Sequence, residues 1–339
     1  DTESVERKPG RKETVGTTSL PVDWRLFSIA PKDSKLSSGA RRVAKGITEL
    51  TQSGVKISFN ESDTEGEYLE LFNAVSSGAI EAVFSNTANW GNKSHGFDFL
   101  SGIPFGPPGD EFLAWYHQGG GKQLADALFH RHNIHGLLCG LAGPITGSLF
   151  TSPVRSLADF QNKPIAAAGL GALVLRRAGA KVVTKPPNEI LLSLRSGNVF
   201  GTTFSHALRI DRDTLDTSAK HLYFPGWAQQ FRSYYLTIHL RDWSGLSRVA
   251  QTRIQAVCAE NIVNGLASSE ASQFVRLKQM INQGAHIREW PPKLLTSLKK
   301  IWAKEAQRLS RKDRDFKKLW SSLKTFSRDY RIWKELGYL

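Results

Sequence analysis

Short apolar runs alternate with amphipathic helical stretches in the same order twice along the chain, and this pattern constrains the fold more than any other feature. From Trp24, WRLFSIA reads as a strand, and ARRVAKGITELTQ carries Val43, Ile47 and Leu50 at helical spacing. VKISF alternates as a second strand. GEYLELFNAVSSG puts Leu69, Phe72 and Val75 on one helical face before Gly78 stops it, and AIEAVFSN is a strand again. From Ile134 comes the apolar strand GLLCGLAG, and a second series follows over about residues 141 to 230. It holds a strand at 164–168, a helix at 169–179, the strand KVVTK, a helix with Ile190, Leu191 and Leu194 inward, and the strands VFGTTF and HLYFPGW. SYYLTIHL then crosses back. Strand-helix-strand order with short links predicts largely parallel sheets wrapped by helices, in two α/β lobes.

The boundaries expected are a polar tail at 1–20, a first lobe from 21–140 plus about 231–260, a second lobe at 141–230, and basic helices at 261–339 packed on the lobes. Two long helices are expected up to Met280. Pro291-Pro292 ends one element and starts the next, Pro292 suiting a first helical turn. Leu295, Leu298, Ile301, Trp302 and Leu309 share a face. Phe316, Leu319, Trp320, Leu323, Phe326, Tyr330 and Trp333 form a second stripe, with Lys317, Lys318, Lys324, Arg328, Arg331 and Lys334 opposite. Aromatics beside cations can bind nucleic acid, but apolar and basic residues on opposite faces describe a docked amphipathic helix better.

The formal net charge is +14, and Ile287 to Leu339 concentrates it with 15 Lys/Arg against 6 Asp/Glu. That surplus favours an acidic partner (nucleic acid, anionic lipid or an acidic protein face) and is equally compatible with residence in a mitochondrion. No apolar run reaches 18 residues, so no transmembrane segment is expected. The chain opens at Asp1 without an apolar leader, so either a removed targeting segment or a chain trimmed at its start is expected. The two cysteines do not make a disulfide framework. Cys139 in LLCGL and Cys258 in IQAVCAENI read as buried free thiols.

Several motifs suggest chemistry that their spacing does not sustain. Gly119 to Gly121 lacks the G-K-[ST] of a phosphate loop and reads as a turn into a helix. His130, His132 and His135 have no Cys or carboxylate at ligand spacing and read as solvated helix-end histidines. Gly169-Leu170-Gly171 has Val174 where a dinucleotide fingerprint needs its third glycine. No nucleophile–base pair, metal set or cofactor motif stands out, so neither an enzyme nor a cofactor is expected.

TEGEYLELFNAVSSGAIEAV, FDFLSGIPFG, DEFLAWYHQGGGKQLADAL, LADFQNKP, HLYFPGW and QGAHIREWPP follow one another in an order that resembles the binding proteins of tripartite ATP-independent periplasmic (TRAP) transporters, particularly the keto-acid-binding members. The resemblance covers roughly residues 24 to 338. It implies an α/β, two-lobed periplasmic-binding-protein-like fold with hinge strands and long C-terminal bracing helices, and a location outside the cytosol. It also implies a small organic ligand and, as partners, membrane transporter subunits.

The ligand positions carried over from that family are altered. The arginine that grips the ligand carboxylate falls on Ala166. The glutamate that helps hold a cation, and the aromatic after it, fall on Thr203 and Phe204, and the following Gly-Pro becomes His206-Ala207. A polar position falls on Ile145, and an aromatic of the first loop falls near Ala30. Trp90 and Trp227 keep aromatic character. Arg209 could reach the cleft from another position, although an exposed or structural arginine is the plainer reading. One reading is therefore a receptor for a non-standard ligand, its cleft lined by Asn89, Trp90, Thr203, Phe204, His206 and Trp227. The other is a non-catalytic accessory subunit of a larger membrane-associated complex that reuses the receptor fold without a ligand.

Overall fold

The computed structural model describes residues 21–29, 35–52, 54–62, 68–143, 147–185, 189–203 and 219–337. In chain order these give β1 (Val22–Ile29), α1 (Lys35–Leu50), β2 (Val55–Ser62), α2 (Tyr68–Ser77), β3 (Ala82–Ser85), a 3-10 turn (Thr87–Trp90), α3 (His95–Ser101), α4 (Gly109–Gln118), α5 (Gly121–His130) and β4 (Ile134–Ala142). There follow β5 (Ser148–Phe150), a second 3-10 turn (Leu157–Phe160), β6 (Pro164–Ala166), α6 (Gly169–Arg177), β7 (Lys181–Val183), α7 (Ile190–Arg195), β8 (Gly201–Thr202) and β9 (His221–Phe224). The chain ends with β10 (Arg232–His239), α8 (Leu240–Ser244), α9 (Arg248–Asn282), β11 (His286–Glu289), α10 (Pro292–Lys312) and α11 (Arg314–Leu336).

The strands form two sheets, ordered β2-β1-β3-β10-β4 and β11-β9-β5-β8-β6-β7. Each is mixed rather than wholly parallel. β10 runs antiparallel between β3 and β4, and β5 runs antiparallel to both its neighbours. β10 enters the first sheet after β9 has completed its place in the second, so the 225–231 segment is one of the crossings between lobes.

Alternation along β3, β4 and β10 sends residues to two cores. Phe84, Leu137, Cys139, Leu236 and Ile238 pack under α1 and α9, whereas Val83, Leu138 and Tyr235 face an aromatic cluster with Phe97, Trp115 and Phe129. In the second sheet Leu149, Ile190, Leu194, Val199 and Leu222 make a smaller core, to which Met280 of α9 belongs.

The helix from Ser247 onward is one element, not two. Ser247 caps it by accepting from the Ala250 amide, and it continues unbroken to Asn282. Polar residues between Asn264 and Glu270 weaken its periodicity, but contacts with β4 hold it. Asn261 Nδ2 donates to the Cys139 carbonyl at 2.6 Å, and the Gly143 amide donates to Ser269 Oγ at 2.7 Å. A Cβ at Gly265 would lie 2.6 Å from the Leu141 carbonyl oxygen, so the close approach needs a glycine. The expected free thiols are corrected here. Cys139 and Cys258 are disulfide-bonded across 119 residues, because the inward face of β4 and the buried stripe of α9 meet at that point.

α10 and α11 brace both lobes. Leu298, Trp302 and Leu309 of α10 are buried as expected, with Leu295 and Ile301 half-buried. Trp302 meets Phe316 and Trp320 of α11 at 6.3 and 5.6 Å between ring centroids. Arg177 at the end of α6 bonds Glu305 of α10 at 2.9 Å, while Arg131 after α5 pairs with Asp315 of α11. The expectation that Trp333 continues the buried stripe is corrected. Phe316, Leu319 and Leu323 are buried, but the last turns run past the lobe and leave Trp333 57% exposed.

Candidate functional site

The end of β3 and the 3-10 turn after it position two of the candidate residues. Asn86 Oδ1 accepts from the Ala88 amide at 3.1 Å, Asn86 Nδ2 donates to the Ser233 carbonyl at 2.8 Å, and Thr87 Oγ1 donates to the Phe97 carbonyl at 2.8 Å. These bonds fix the turn between β10 and α3. Asn89 is then exposed, while Trp90 turns inward and is 1% exposed, edge-on to Phe72 at 5.2 Å and to Phe97 at 5.8 Å. Trp90 is therefore part of the first lobe's core, not an exposed lining residue.

Trp227 lies in the 225–231 crossing. Its ring stacks on Phe105 at 5.5 Å, and its carbonyl accepts the Phe105 amide at 2.8 Å. It is 2% exposed, and its indole N–H is buried without a partner among the described residues.

Ala166 and Thr203 are brought together by β6 and β8, which pair Ala166 with Thr202. The Ala166 carbonyl accepts from Thr202 Oγ1 at 3.1 Å and from the Thr203 amide at 3.2 Å. The Ala166 methyl is fully buried in the small core of the second lobe, with Leu149, Ile190 and Leu222 in the same cluster. Thr203 is half-buried. The two lobes approach beside this point, since a Cβ at Gly169, three residues past Ala166, would lie 3.9 Å from the Ala88 methyl.

Ile145, Phe204, His206 and Arg209 lie outside the described residues, as does Ala30. The five candidates described are Asn89, Trp90, Ala166, Thr203 and Trp227, and none carries a side chain that ionises near neutral pH. Asn89 and Thr203 offer an exposed amide and a half-buried hydroxyl, while Trp90 and Trp227 are buried.

The histidine cluster is dispersed. His130 Nε2 faces His135 Nδ1 at 3.2 Å, but His132 packs edge-on to Phe72 instead. His135 is buried against Trp243 at 4.3 Å between rings, and that burial pushes its pKa down to about 4, so the expected solvated helix-end reading fails for it. Among the described residues no group of three or more His, Cys, Asp or Glu could hold a metal ion. Gly120, with φ of +87°, makes the tight turn into α5. A cavity of about 50 Å³ opens in the first lobe between α1, β4, β10 and α9, where Arg42 Nη1 donates to Asn261 Oδ1 at 3.0 Å; no sequence-predicted residue lines it.

Sequence reading missed the cross-element role of Asp313. Its carboxylate caps α11 by accepting from the Asp315 and Phe316 amides, each at 2.9 Å, and it also accepts from the His95 amide at 2.7 Å and Ser94 Oγ at 2.9 Å. Burial would raise its pKa, but these donors outweigh burial and hold it below the usual carboxylate range. An Asp three residues before Phe316, at the break between two helical stripes, was the available signal.

Two α/β lobes facing each other across a crossing segment, braced by terminal helices, define the class of two-lobed solute receptors. Within that class the chain belongs to the bacterial extracellular solute-binding protein family 7, DctP, whose family model matches residues 27–313. A curated relative, the monocarboxylate 2-oxoacid-binding periplasmic protein of Nostoc sp., is 24% identical over 318 residues, covering 94% of this chain and 87% of its own. A TRAP transporter solute-binding protein from Bordetella bronchiseptica, solved with copurified calcium and picolinate, superposes with a TM-score of 0.85 at 24% identity, covering 94% of this chain and 95% of its own. One from Colwellia psychrerythraea with bound calcium and pyruvate gives 0.85 at 19% identity, covering 93% and 96% respectively. No helix among the described residues is long and apolar enough to cross a membrane.

Proposed function

We propose that this chain is a TRAP-type solute receptor whose cleft does not grip a ligand carboxylate through the guanidinium usual in the family, and so takes a ligand other than a simple 2-oxoacid. The observation that carries this reading is Ala166. It stands where the resembling family has its arginine, its side chain is fully buried, and its carbonyl is committed to Thr202 and Thr203. A charged hydrogen bond from arginine to a carboxylate contributes roughly 1.5–3 kcal/mol, and a buried carboxylate left without one costs several kcal/mol.

The related structures named above were solved with calcium as well as picolinate or pyruvate. Thr203, a neutral hydroxyl where the resemblance places a carboxylate, does not fit a cation bridge of that kind. Neutral side chains at positions 166 and 203 favour an uncharged organic molecule over an organic anion.

The role is binding rather than catalysis. We infer that the protein acts outside the cytosol and delivers its ligand to membrane transporter subunits. The buried disulfide supports an oxidising compartment, and the curated relative is periplasmic. A thermal-shift screen across carboxylates, amines, sugars and lipids tests the reading. A ligand of the folded state raises the melting temperature with concentration, and the reading predicts a hit outside the carboxylates. Shifts confined to 2-oxoacids would overturn it.

The accessory-subunit reading draws on a different observation, the uncompensated cations of α10 and α11. It predicts a stable protein complex that copurifies through those helices and no small-molecule hit.

A further inference from the structure

The charges of α10 and α11 are sorted by sign between inside and outside. Three of their acids are used internally: Glu305 bonds Arg177 and Arg308, Asp313 caps α11, and Asp315 pairs with Arg131. Asp329 and Glu335 are exposed and paired with Arg328 and Arg331 on their own helix. Lys293, Lys300, Lys304 and Arg311 are all exposed, and at about 100° per residue they lie on one stripe of α10, opposite Leu298, Trp302 and Leu309.

α11 repeats the arrangement. Arg314, Lys318, Ser321, Thr325, Arg328, Ile332 and Leu336 follow at steps of three or four residues, which keeps them on one line away from buried Phe316, Leu319 and Leu323. The line changes character along its length. It begins basic and ends apolar, with Ile332 64%, Leu336 82% and neighbouring Trp333 57% exposed.

We propose that the outer face of α10 and α11 docks on an anionic membrane surface, with the two basic stripes over the headgroups and Ile332, Trp333 and Leu336 entering the interface. Basic residues beside a terminal cluster of apolar side chains, tryptophan among them, are the composition that suits a helix lying on a bilayer. Both stripes consist of exposed residues on helix surfaces, which suits contact with a plane. Stacking on nucleic acid is disfavoured, because Phe316 and Trp320 are turned against Trp302 and Phe99.

The test is vesicle flotation of the full chain, comparing pure phosphatidylcholine with phosphatidylcholine containing phosphatidylglycerol. The proposal predicts capture by the anionic vesicles alone, weakened at least about tenfold when salt rises from about 50 to about 300 mM. Lys293→Gln, Lys300→Gln, Lys304→Gln and Arg311→Gln combined should weaken capture roughly a hundredfold, with an unchanged melting temperature. Ile332→Ser, Trp333→Ser and Leu336→Ser combined should weaken it about tenfold and leave its salt dependence in place. Should the quadruple variant fold poorly, the lipid and salt dependence of the unmodified chain decides. Equal capture by neutral vesicles, capture by neither, or tighter binding to an oligonucleotide or to polyglutamate than to anionic vesicles would overturn the proposal.

Discussion

Thr202 Oγ1 donates to the carbonyl of Ala166 at 3.1 Å, and this bond closes the end of β6 onto β8. The strand end is thereby a packed joint of the second lobe. Ala166→Arg is expected to bury an unpaired guanidinium and to destabilise the protein by about 3–5 kcal/mol. Urea unfolding checks this; unchanged stability together with newly acquired pyruvate binding would show that the position still opens into a cleft.

Cys139 and Cys258 join the first sheet to α9 across 119 residues. Breaking the bond should cost about 2–4 kcal/mol. Cys139→Ser, Cys258→Ser and the double substitution should lose similar amounts, because either single change removes the same cross-link. Denaturant midpoints with and without reductant measure it, and a reductant-insensitive midpoint in the unsubstituted protein would refute the pairing.

Asp313 accepts from four donors on two elements, so Asp313→Ala should cost about 2–3 kcal/mol and Asp313→Asn less. Its folded pKa is depressed, so its contribution is complete above the ordinary carboxylate pKa and is lost as pH falls through the folded value. Acid unfolding should therefore begin at higher pH in the alanine variant.

His135 behaves in the same direction in a different window. Burial holds its pKa at about 4, while the unfolded chain restores about 6.5. The unfolded state takes up the proton first as pH drops, so stability falls between about pH 6.5 and 4, by up to about 3 kcal/mol. Unfolding free energies measured across that range should be flatter in His135→Gln, and parallel curves would contradict this assignment.

Local periodicity made the scaffold legible. Val43 and Ile47, Phe72 and Val75, and Ile190 and Leu194 all face cores as their spacing requires. What could not be read was set by register and depth. Nothing local says that Cys139 faces Cys258, since that depends on how α9 lies along β4. The sequence shows Trp90 and Trp227 only as aromatics, and packing alone reveals that Phe72 and Phe105 cover them. Trp333 keeps the helical rhythm of Phe316 and Leu323 but lies beyond the lobe that buries them. The proposal of an altered site rests on Ala166 and Thr203, where the resemblance implies charged residues and the chain has neutral ones.

The most direct test of the proposed loss of carboxylate binding is calorimetric titration of the full chain with pyruvate, with and without calcium. No saturable heat up to about 1 mM is predicted, since losing a charged contact of roughly 1.5–3 kcal/mol and burying the carboxylate unpaired at a cost of several kcal/mol more together weaken binding by at least about a thousandfold. Saturable binding at micromolar concentration would contradict it and return the chain to the ordinary 2-oxoacid receptors.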